Sequence, residues 1–290
     1  MNDLAQAVSG DNLLATSTKM GPMLVAMGKL SPKDLSMILA TQKKHGLRFG
    51  DAAVKLGLVN ANDINAILAE QFAYTQTPAA SSKLDRRLSA LFQPDSPQAE
   101  AMRSLRSELM LRYFSAQPHR VLALVSAEDA EGTALTTANL AISFAQLGLR
   151  TLLIDANLRD PQINGLFNLH AHAPGLSDWI VERTAVIPTA VEPVRSLWIL
   201  PAGTQAPNPQ ELLASRQYQD RLGSLSQSFD VTLISTAPMD SNRDAQLVAA
   251  HAGAALLIAR KNVTRTKALA AISSRLQELG VRLLGATLRG

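Results

Sequence analysis

Six short, nearly continuous aliphatic runs mark the larger, C-terminal part of the chain. They lie at residues 121–126, 151–155, 197–201, 231–235, 254–260 and 282–288. Strands that are buried on both faces show this pattern, whereas strands with one solvent face alternate apolar and polar residues. Helix-like stretches separate the runs. The pattern predicts an α/β domain with a doubly wound, mostly parallel sheet, whose ligands bind at the C-terminal ends of the strands.

The first seventy residues contain an internal repeat. Residues 19–42 align with residues 48–71 at an offset of 29 positions (48 − 19). The aligned pairs are Lys19 with Arg48, Gly21 with Gly50, Gly28 with Gly57, Leu30 with Val59, Leu35 with Ile64, Leu39 with Leu68, and Gln42 with Gln71. Each copy is predicted to contain a short apolar helix, a glycine turn, an N-cap (Ser31 or Asn60) and an amphipathic helix. Two copies can bury their apolar faces against each other, which predicts a small all-α domain over residues 1–74.

Between the repeat and the first aliphatic run lie two further segments. Residues 75–98 are rich in Pro, Ser, Thr and Ala, so they are predicted to form a linker with one short helix around residues 84–92. The next segment places Glu100, Arg103 and Arg106 three residues apart, and hence on one face of a helix. The predicted domains are therefore 1–74 and 99–290, joined by the linker 75–98.

Composition and charge restrict the chemistry. Hydrophobic residues make up 47% of the chain and aromatic residues 4%, so the core is expected to be aliphatic. The net charge of +4 is compatible with an anionic partner or membrane surface but requires none, and no nucleic-acid partner is expected. Without cysteine there is no disulfide or zinc–thiolate site, and the five histidines show no metal-ligand spacing. No signal peptide or span-length apolar run is recognised, so the chain is expected to be cytoplasmic.

Residues 121–161 have the layout of a phosphate-binding loop: a buried strand, a loop, an amphipathic helix and a second strand that ends in an acid. In such a loop, backbone N–H groups cradle phosphates, a lysine reaches the β- and γ-phosphates, and a Ser or Thr hydroxyl binds Mg²⁺. Here Thr133 stands at the lysine position and Ala134 at the hydroxyl position. Backbone N–H groups at the helix N-terminus, around Glu131 and Gly132, can still attract an anion, so binding of ATP with Mg²⁺ is expected to be weak or absent.

The order and spacing of several segments resemble the bacterial tyrosine kinases (BY-kinases) of capsule and exopolysaccharide export, over residues 99–290. The matching segments are the Glu100/Arg103/Arg106 face, VSAEDAEGTALTTANLA, TLLIDANLRDP, PGLSDWI, LPAGTQAPNPQELLAS and FDVTLISTAP. The resemblance implies a D-x-D-x-R motif, which is Asp155, Asn157 and Arg159 here, and a metal-binding aspartate at the position of Ser235. Four groups are thus replaced together, at Thr133, Ala134, Asn157 and Ser235. At ~10-fold each, their loss removes ~5 kcal/mol of transition-state stabilisation, so no catalytic residue is assigned.

The same resemblance implies partners. In BY-kinases the E-x-x-R-x-x-R face mediates self-assembly, and a membrane polysaccharide copolymerase, or chain-length determinant, docks on the domain. Glu100, Arg103 and Arg106 match this face, which implies a homo- or hetero-oligomer, in the second case with an active kinase paralogue, and a location peripheral to the inner membrane through a partner. The family also carries a tyrosine cluster, whereas this sequence has only Tyr74, Tyr113 and Tyr218.

These observations favour a pseudokinase that serves as a regulatory or scaffold subunit in exopolysaccharide production. The alternative is an active tyrosine autokinase with an atypical ATP site, in which Arg159 or Arg243 replaces the lysine. A positioning ATPase of the ParA/MinD type matches the connecting segments less well.

The repeat resembles the tandem cyclic-di-GMP-binding motif at the N-terminus of type II secretion and pilus ATPases. The residues that match this motif are Lys19, Gly21, Gly28, Gln42, Arg48, Gly50, Gly57 and Gln71. A basic side chain can stack on guanine, and glycines allow the backbone to approach a ligand. The first copy departs from the family pattern because it has Lys19 in place of an arginine. The alternative is that the repeat builds only a helical adaptor.

Overall fold

The computed structural model describes residues 20–22, 24–25, 28–60, 63–64, 82–115, 121–170, 172–181 and 186–290. The chain divides into two compact units, Met1–Gln76 and Thr77–Gly290. The larger unit is an α/β domain and the smaller one is helical, and each is described by itself.

The larger unit is built on one sheet of seven strands. The strands are β1 (Val121–Ser126), β2 (Thr151–Asp155), β3 (Thr189–Val191), β4 (Val194–Leu200), β5 (Val231–Ser235), β6 (Ala254–Arg260) and β7 (Arg282–Arg289). Their order is β3-β4-β2-β5-β1-β6-β7, and every pair is parallel except β3 with β4. The predicted α/β fold with a mostly parallel sheet is confirmed. The aliphatic pattern missed β3, because this edge strand has three residues and buries only Val191.

Helices cover both faces of this sheet. The smaller unit contains the helices α1 (Pro32–His45) and α2 (Phe49–Lys55). The α/β unit contains α3 (Ser89–Phe92), α4 (Pro97–Leu109), which continues as a π turn (Met110–Phe114), α5 (Ala130–Ala145), α6 (Ile163–Leu166), α7 (Leu176–Ile180), α8 (Pro209–Ala214), α9 (Arg216–Ser226), α10 (Asp244–Ala252) and α11 (Thr266–Glu278). Among the described helices, none is both long and apolar enough to cross a bilayer.

Two hydrophobic cores lie on opposite faces of the sheet. Leu122 and Leu124 of β1 belong to the core that also contains Phe144 of α5, whereas Ala123 and Val125 belong to the core that contains Val248 of α10. Successive residues of a strand point to opposite faces, so both sets of side chains are buried. This explains why the strands appear in the sequence as continuous aliphatic runs.

Residues 82–98 pack on the α/β unit. Leu88 and Leu91 are buried in the core on the α5 side. The side chain of Asn139 on α5 accepts a hydrogen bond from the backbone N–H of Ala90 at 2.9 Å, and Gln146 donates one to the carbonyl of Ala90 at 2.9 Å. The described part of the predicted linker is thus fixed to α5 by both apolar burial and hydrogen bonds.

The smaller unit shows the internal repeat in its local geometry. Ser31 and Asp34 form a capping box at the start of α1, and Asn60 and Asp63 make the equivalent pair of hydrogen bonds at the start of the second copy. Gly28 and Gly57 both have positive φ, at 69° and 66°, where an L side chain would be strained.

The other glycine pair of the repeat has a packing role. A methyl group on Gly21 would overlap Cδ1 of Leu35, and one on Gly50 would lie 3.0 Å from Cγ2 of Ile64. Gly21 and Gly50 therefore let equivalent apolar side chains approach the backbone in the two copies.

Candidate functional site

The ends of three neighbouring strands bring the candidate residues of the α/β unit together. Asp155 at the end of β2 lies beside Ser235 at the end of β5, and the N–H of Ala156 donates to the carbonyl of Ser235 at 2.8 Å. β1, which also pairs with β5, ends at Ser126, and the loop that follows leads into α5. Parallel strands bring these ends to one edge, the place where α/β folds bind ligands.

An internal ion pair occupies the N-terminus of α5. Oδ1 of Asp129 accepts a hydrogen bond from the N–H of Gly132 at 2.9 Å, and Oδ2 pairs with the guanidinium of Arg289 at the end of β7. A methyl group on Gly132 would overlap both of these side chains. A carboxylate is favourable here because it satisfies an unpaired N–H group and complements the helix dipole. The space above the first turn of α5 therefore holds a carboxylate and a guanidinium of the chain itself.

The two loop positions that were predicted to be substituted are buried on this first turn. The hydroxyl of Thr133 donates to the carbonyl of Asp129 at 2.6 Å, and neither Thr133 nor Ala134 is more than 1% exposed. The Thr133 side chain is thus turned back onto the loop. Neither residue presents a cation or an available hydroxyl at the helix N-terminus.

Asp155 organises the loop after β2. Its Oδ2 accepts hydrogen bonds from the N–H groups of Gln162 and Ile163, both at 3.0 Å, and its Oδ1 accepts one from the N–H of Asn157 at 3.1 Å. Complete burial raises the pKa of Asp155 to about 6, although these three hydrogen bonds act in the opposite direction. The Asn157 side chain closes the same loop, because it donates to the carbonyl of Asp160 at 2.6 Å and accepts from the N–H of Asp160 at 3.2 Å.

The arginine of the same motif has an acidic partner. Nε of Arg159 donates to Oδ2 of Asp244 at 2.7 Å, and Asp244 at the start of α10 is 1% exposed. This hydrogen bond raises the pKa of Arg159, so its charge is both fixed and compensated. Ser235 is buried at the strand end and carries no charge.

Two partners of these residues, Arg87 and Arg289, carried no signal in the sequence motifs. Arg87 pairs with both Asp85 and Glu131, which joins the segment before α3 to the first turn of α5. Asp244, by contrast, follows one of the segments that resemble the BY-kinases, although its pairing with Arg159 was not predicted. The predicted parallel sheet implied that β7 would end at the same edge as β1, but no motif singled out Arg289 as the partner of the loop. A cleft of about 510 Å³ beside these contacts is lined in part by Arg87, Leu135 and Arg289.

The three residues of the candidate assembly face have intramolecular contacts. Arg103 donates to Oε2 of Glu100 and to the carbonyl of Pro94, both at 2.8 Å. Arg106 donates to the carbonyl of Ser143 at 2.9 Å and thereby fastens α4 to α5. The three side chains share a helix face, as predicted from their spacing, but Arg106 is committed to the core helix.

In the helical unit, six of the eight cyclic di-GMP candidates are described. Gly21 and Gly50 serve packing, Gly28 and Gly57 form turns, Gln42 is half-buried on α1, and Arg48 is exposed directly before α2. Lys19 and Gln71 lie outside the described residues. Arg48 makes no ion pair with the rest of the described chain.

Comparison with known proteins gives a consistent result, although no protein-family model matches the chain. The tyrosine-protein kinase YwqD of Bacillus subtilis is 30% identical over 211 residues, which cover 72% of this chain and 88% of YwqD. The tyrosine-protein kinase Wzc of Salmonella typhimurium is 32% identical over 206 residues, which cover 70% of this chain and 28% of Wzc. The kinase domain of the Escherichia coli tyrosine kinase ETK superposes with a TM-score of 0.66 at 27% identity, covering 72% of this chain and 81% of that domain.

Asp155 makes stability depend on pH in a defined direction. Its pKa of about 6 in the folded protein lies above the ~3.9 of an unfolded aspartate, so the folded state holds this proton more tightly. The resulting stabilisation is fully present below ~pH 4 and is lost as the pH rises through about 6. It amounts to on the order of 2–3 kcal/mol. The unfolding free energies of the wild type and of Asp155→Asn can be measured with denaturant at several pH values in this range. The difference between the two proteins should change with pH. A constant difference would contradict the assignment.

Proposed function

The chain belongs to the family of bacterial tyrosine-protein kinases, and from this premise we propose that it is a catalytically impaired member, a regulatory or scaffold subunit in exopolysaccharide synthesis. The observation that carries this proposal is the Asp129–Arg289 pair on the first turn of α5. In a phosphate-binding loop this turn would hold the phosphates of ATP.

ATP with Mg²⁺ does not fit the residues at this turn. The N–H of Gly132 already donates to Asp129, whose negative charge repels a phosphate, and Arg289 is neutralised by the same carboxylate. The hydroxyl of Thr133 is used within the chain, and Ala134 offers no ligand to a metal. In this arrangement the helix N-terminus is satisfied without a nucleotide, and no phosphoryl-transfer step can be derived from it.

The described tyrosines also argue against autophosphorylation. Tyr113 is 2% exposed and Tyr218 is fully buried. The hydroxyl of Tyr113 donates to the carbonyl of Val121 at 2.9 Å, and burial raises the pKa of Tyr113 to about 12. Neither hydroxyl can reach an active site in another molecule unless the fold opens. Tyr74, the remaining tyrosine, lies outside the described residues.

The alternative function, an active autokinase with an atypical ATP site, requires a cation in place of the missing lysine. Arg159 is held by Asp244 at 2.7 Å and is therefore compensated. Arg243 is exposed immediately before α10 and is the other candidate. Phosphotyrosine formed by the purified chain in the presence of ATP and Mg²⁺, and lost in Arg243→Ala, would support this alternative.

Restoring the phosphate-binding groups should create nucleotide binding. In Asp129→Gly/Thr133→Lys/Ala134→Ser the competing carboxylate is removed, the N–H of Gly132 is released, and a cation and a hydroxyl are added. We expect the wild type to show no saturable binding of ATP with Mg²⁺ by calorimetry. The variant should show saturable binding at least about 10-fold tighter than the upper limit of affinity that the wild-type titration allows. This factor is equivalent to one charge-assisted hydrogen bond of about 1.5 kcal/mol.

Asp220→Asn is the matched control, because it removes an exposed acid from α9 and should bind as little nucleotide as the wild type. ATP binding by the wild type as tight as that of the variant, or phosphotyrosine formation by the wild type, would contradict the proposed impairment.

A scaffold needs an assembly surface, and we assign it to the exposed part of the α4 face. The side chain of Glu100 is 64% exposed and that of Arg103 is 32% exposed, so both can exchange their mutual ion pair for one with another subunit. Arg106 instead supports α4 through Ser143. The partners proposed for this surface are a second copy of the chain or an active kinase paralogue, with a membrane copolymerase docked on the assembly.

Glu100→Ala/Arg103→Ala and Arg106→Ala should therefore behave differently. Removing both exposed charges should abolish assembly, measured by light scattering alone and with the paralogue, while the melting temperature stays within a few degrees of the wild type. Arg106→Ala should lower the unfolding free energy by roughly 1–3 kcal/mol, because it removes hydrogen bonds made by a charged group. Unchanged assembly of Glu100→Ala/Arg103→Ala would exclude this surface.

We propose further that the helical unit binds cyclic di-GMP through Arg48. Arg48 is exposed, two residues before Gly50, and its side chain makes no hydrogen bond or ion pair within the described chain. Calorimetry of the wild type should give saturable binding of cyclic di-GMP, and Arg48→Ala should weaken it roughly 10-fold or more through the loss of stacking and charge. Lys55→Ala, which removes an exposed cation from the end of α2, should bind like the wild type. Absence of binding by the wild type would leave the repeat as an adaptor.

A further inference from the structure

The loop between β6 and α11 displays a compact group of cations. Residues 260–267 contain four basic side chains and no acid, and all four are exposed: Arg260, Lys261, Arg265 and Lys267. Within the described chain none of the four forms an ion pair. By contrast, Arg87, Arg150, Arg159 and Arg289 of the same unit each bind a carboxylate.

Backbone hydrogen bonds hold this loop in one conformation. The N–H of Arg260 donates to the hydroxyl of Thr264 at 2.8 Å, and the N–H of Thr264 returns a bond to the carbonyl of Arg260 at 2.9 Å. The N–H of Lys261 donates to the carbonyl of Arg289 at 2.8 Å, which places the loop against the end of β7. Glu128, the acid that faces the loop, accepts its hydrogen bond from Thr264. The four cations are therefore presented from a fixed turn.

The positions of two cations are unfavourable for the helix that follows. Arg265 occupies the N-cap of α11 without a side-chain capping bond, Lys267 lies in the first turn, and no acid is present there. Ser, Thr, Asp and Asn are the residues that stabilise an N-cap, and cations at this end oppose the helix dipole. Helix stability does not explain these two residues, which argues that their charge serves an external anion.

Exposed aliphatic side chains accompany the cations. Val263, at the tip of the loop, is 48% exposed, and Leu288, one residue before the loop's contact at Arg289, is 65% exposed. Cations around exposed aliphatic side chains fit the surface of a bilayer that contains anionic lipids, where the charges meet headgroups and the apolar groups enter the interface. An acidic protein segment would match the charge but gives no reason for two exposed aliphatic side chains.

We propose that these six residues, the β6–α11 surface, bind directly to membranes that contain anionic phospholipids. This goes beyond the proposed function, in which the membrane is reached only through a partner. Most of the binding free energy is electrostatic, so binding to the membrane weakens as the salt concentration increases. It is independent of nucleotide and of the assembly face on α4.

Sedimentation with vesicles tests the proposal on the full chain. The wild type should bind vesicles of phosphatidylcholine mixed with phosphatidylglycerol, should not bind phosphatidylcholine alone, and should be released by high salt. Lys261→Gln/Arg265→Gln/Lys267→Gln should weaken binding roughly 100-fold, since each cation near such a surface contributes about 5-fold. The melting temperature of this variant should equal or exceed that of the wild type, because cations are removed from a helix N-terminus.

Lys33→Gln/Lys44→Gln/Lys55→Gln is the matched control, because it removes the same charge from exposed positions of the helical unit. Its vesicle binding should stay close to that of the wild type. Equal weakening by the control, equal binding to neutral vesicles, or unchanged binding by the loop variant would overturn the proposal. Binding of the loop to polyglutamate in the absence of vesicle binding would assign the surface to an acidic protein and likewise exclude the membrane.

Discussion

The α/β unit depends on the enclosure of α5. Every residue from Gly132 to Ala145 except Leu135 is buried, so this helix must be covered on all sides. The sheet covers one side, and the residues around α3 and α4 cover the other, where Asn139, Gln146 and Ser143 hold them by hydrogen bonds. Since these core contacts fix α5, its N-terminus stays beside the end of β1 whatever residues the loop between β1 and α5 contains.

This enclosure explains how the strand–loop–helix geometry around the N-terminus of α5 is held by core packing, independently of any ligand. A helix N-terminus leaves N–H groups unpaired and carries partial positive charge, and both favour an anion. In this chain the anion is Asp129, and Arg289 compensates the charge of that carboxylate. The arrangement is electrostatically complete within the molecule, and core packing keeps the strand ends at one edge.

The helical unit shows how a repeated glycine pattern can arise from packing. Gly28 and Gly57 meet a conformational requirement, and Gly21 and Gly50 allow Leu35 and Ile64 to approach. These four positions are explained without a ligand. Arg48 is different, because it is exposed and makes no side-chain hydrogen bond or ion pair within the described residues, so ligand binding is supported by this residue more than by the spacing of the glycines.

The sequence by itself determined the sheet and predicted the substituted loop. Aliphatic runs identified six of the seven strands because burial on both faces imposes a composition that local pattern reveals. The three residues of β3 were too few to show it. The resemblance to BY-kinases, together with the layout of the loop, also predicts from sequence that Thr133, Ala134, Asn157 and Ser235 replace a lysine, a hydroxyl and two acids.

Only the tertiary structure decided which charged side chains around the loop pair with each other. Arg289 reaches Asp129 across 160 positions of sequence, Arg159 reaches Asp244 across 85, and Arg87 reaches Glu131 across 44. Such pairs depend on the order of strands in the sheet and on side-chain direction, which no local pattern encodes. The sequence therefore predicted which groups the loop lacks, whereas the three-dimensional arrangement of strand ends determined that Asp129 and Arg289 meet at the N-terminus of α5.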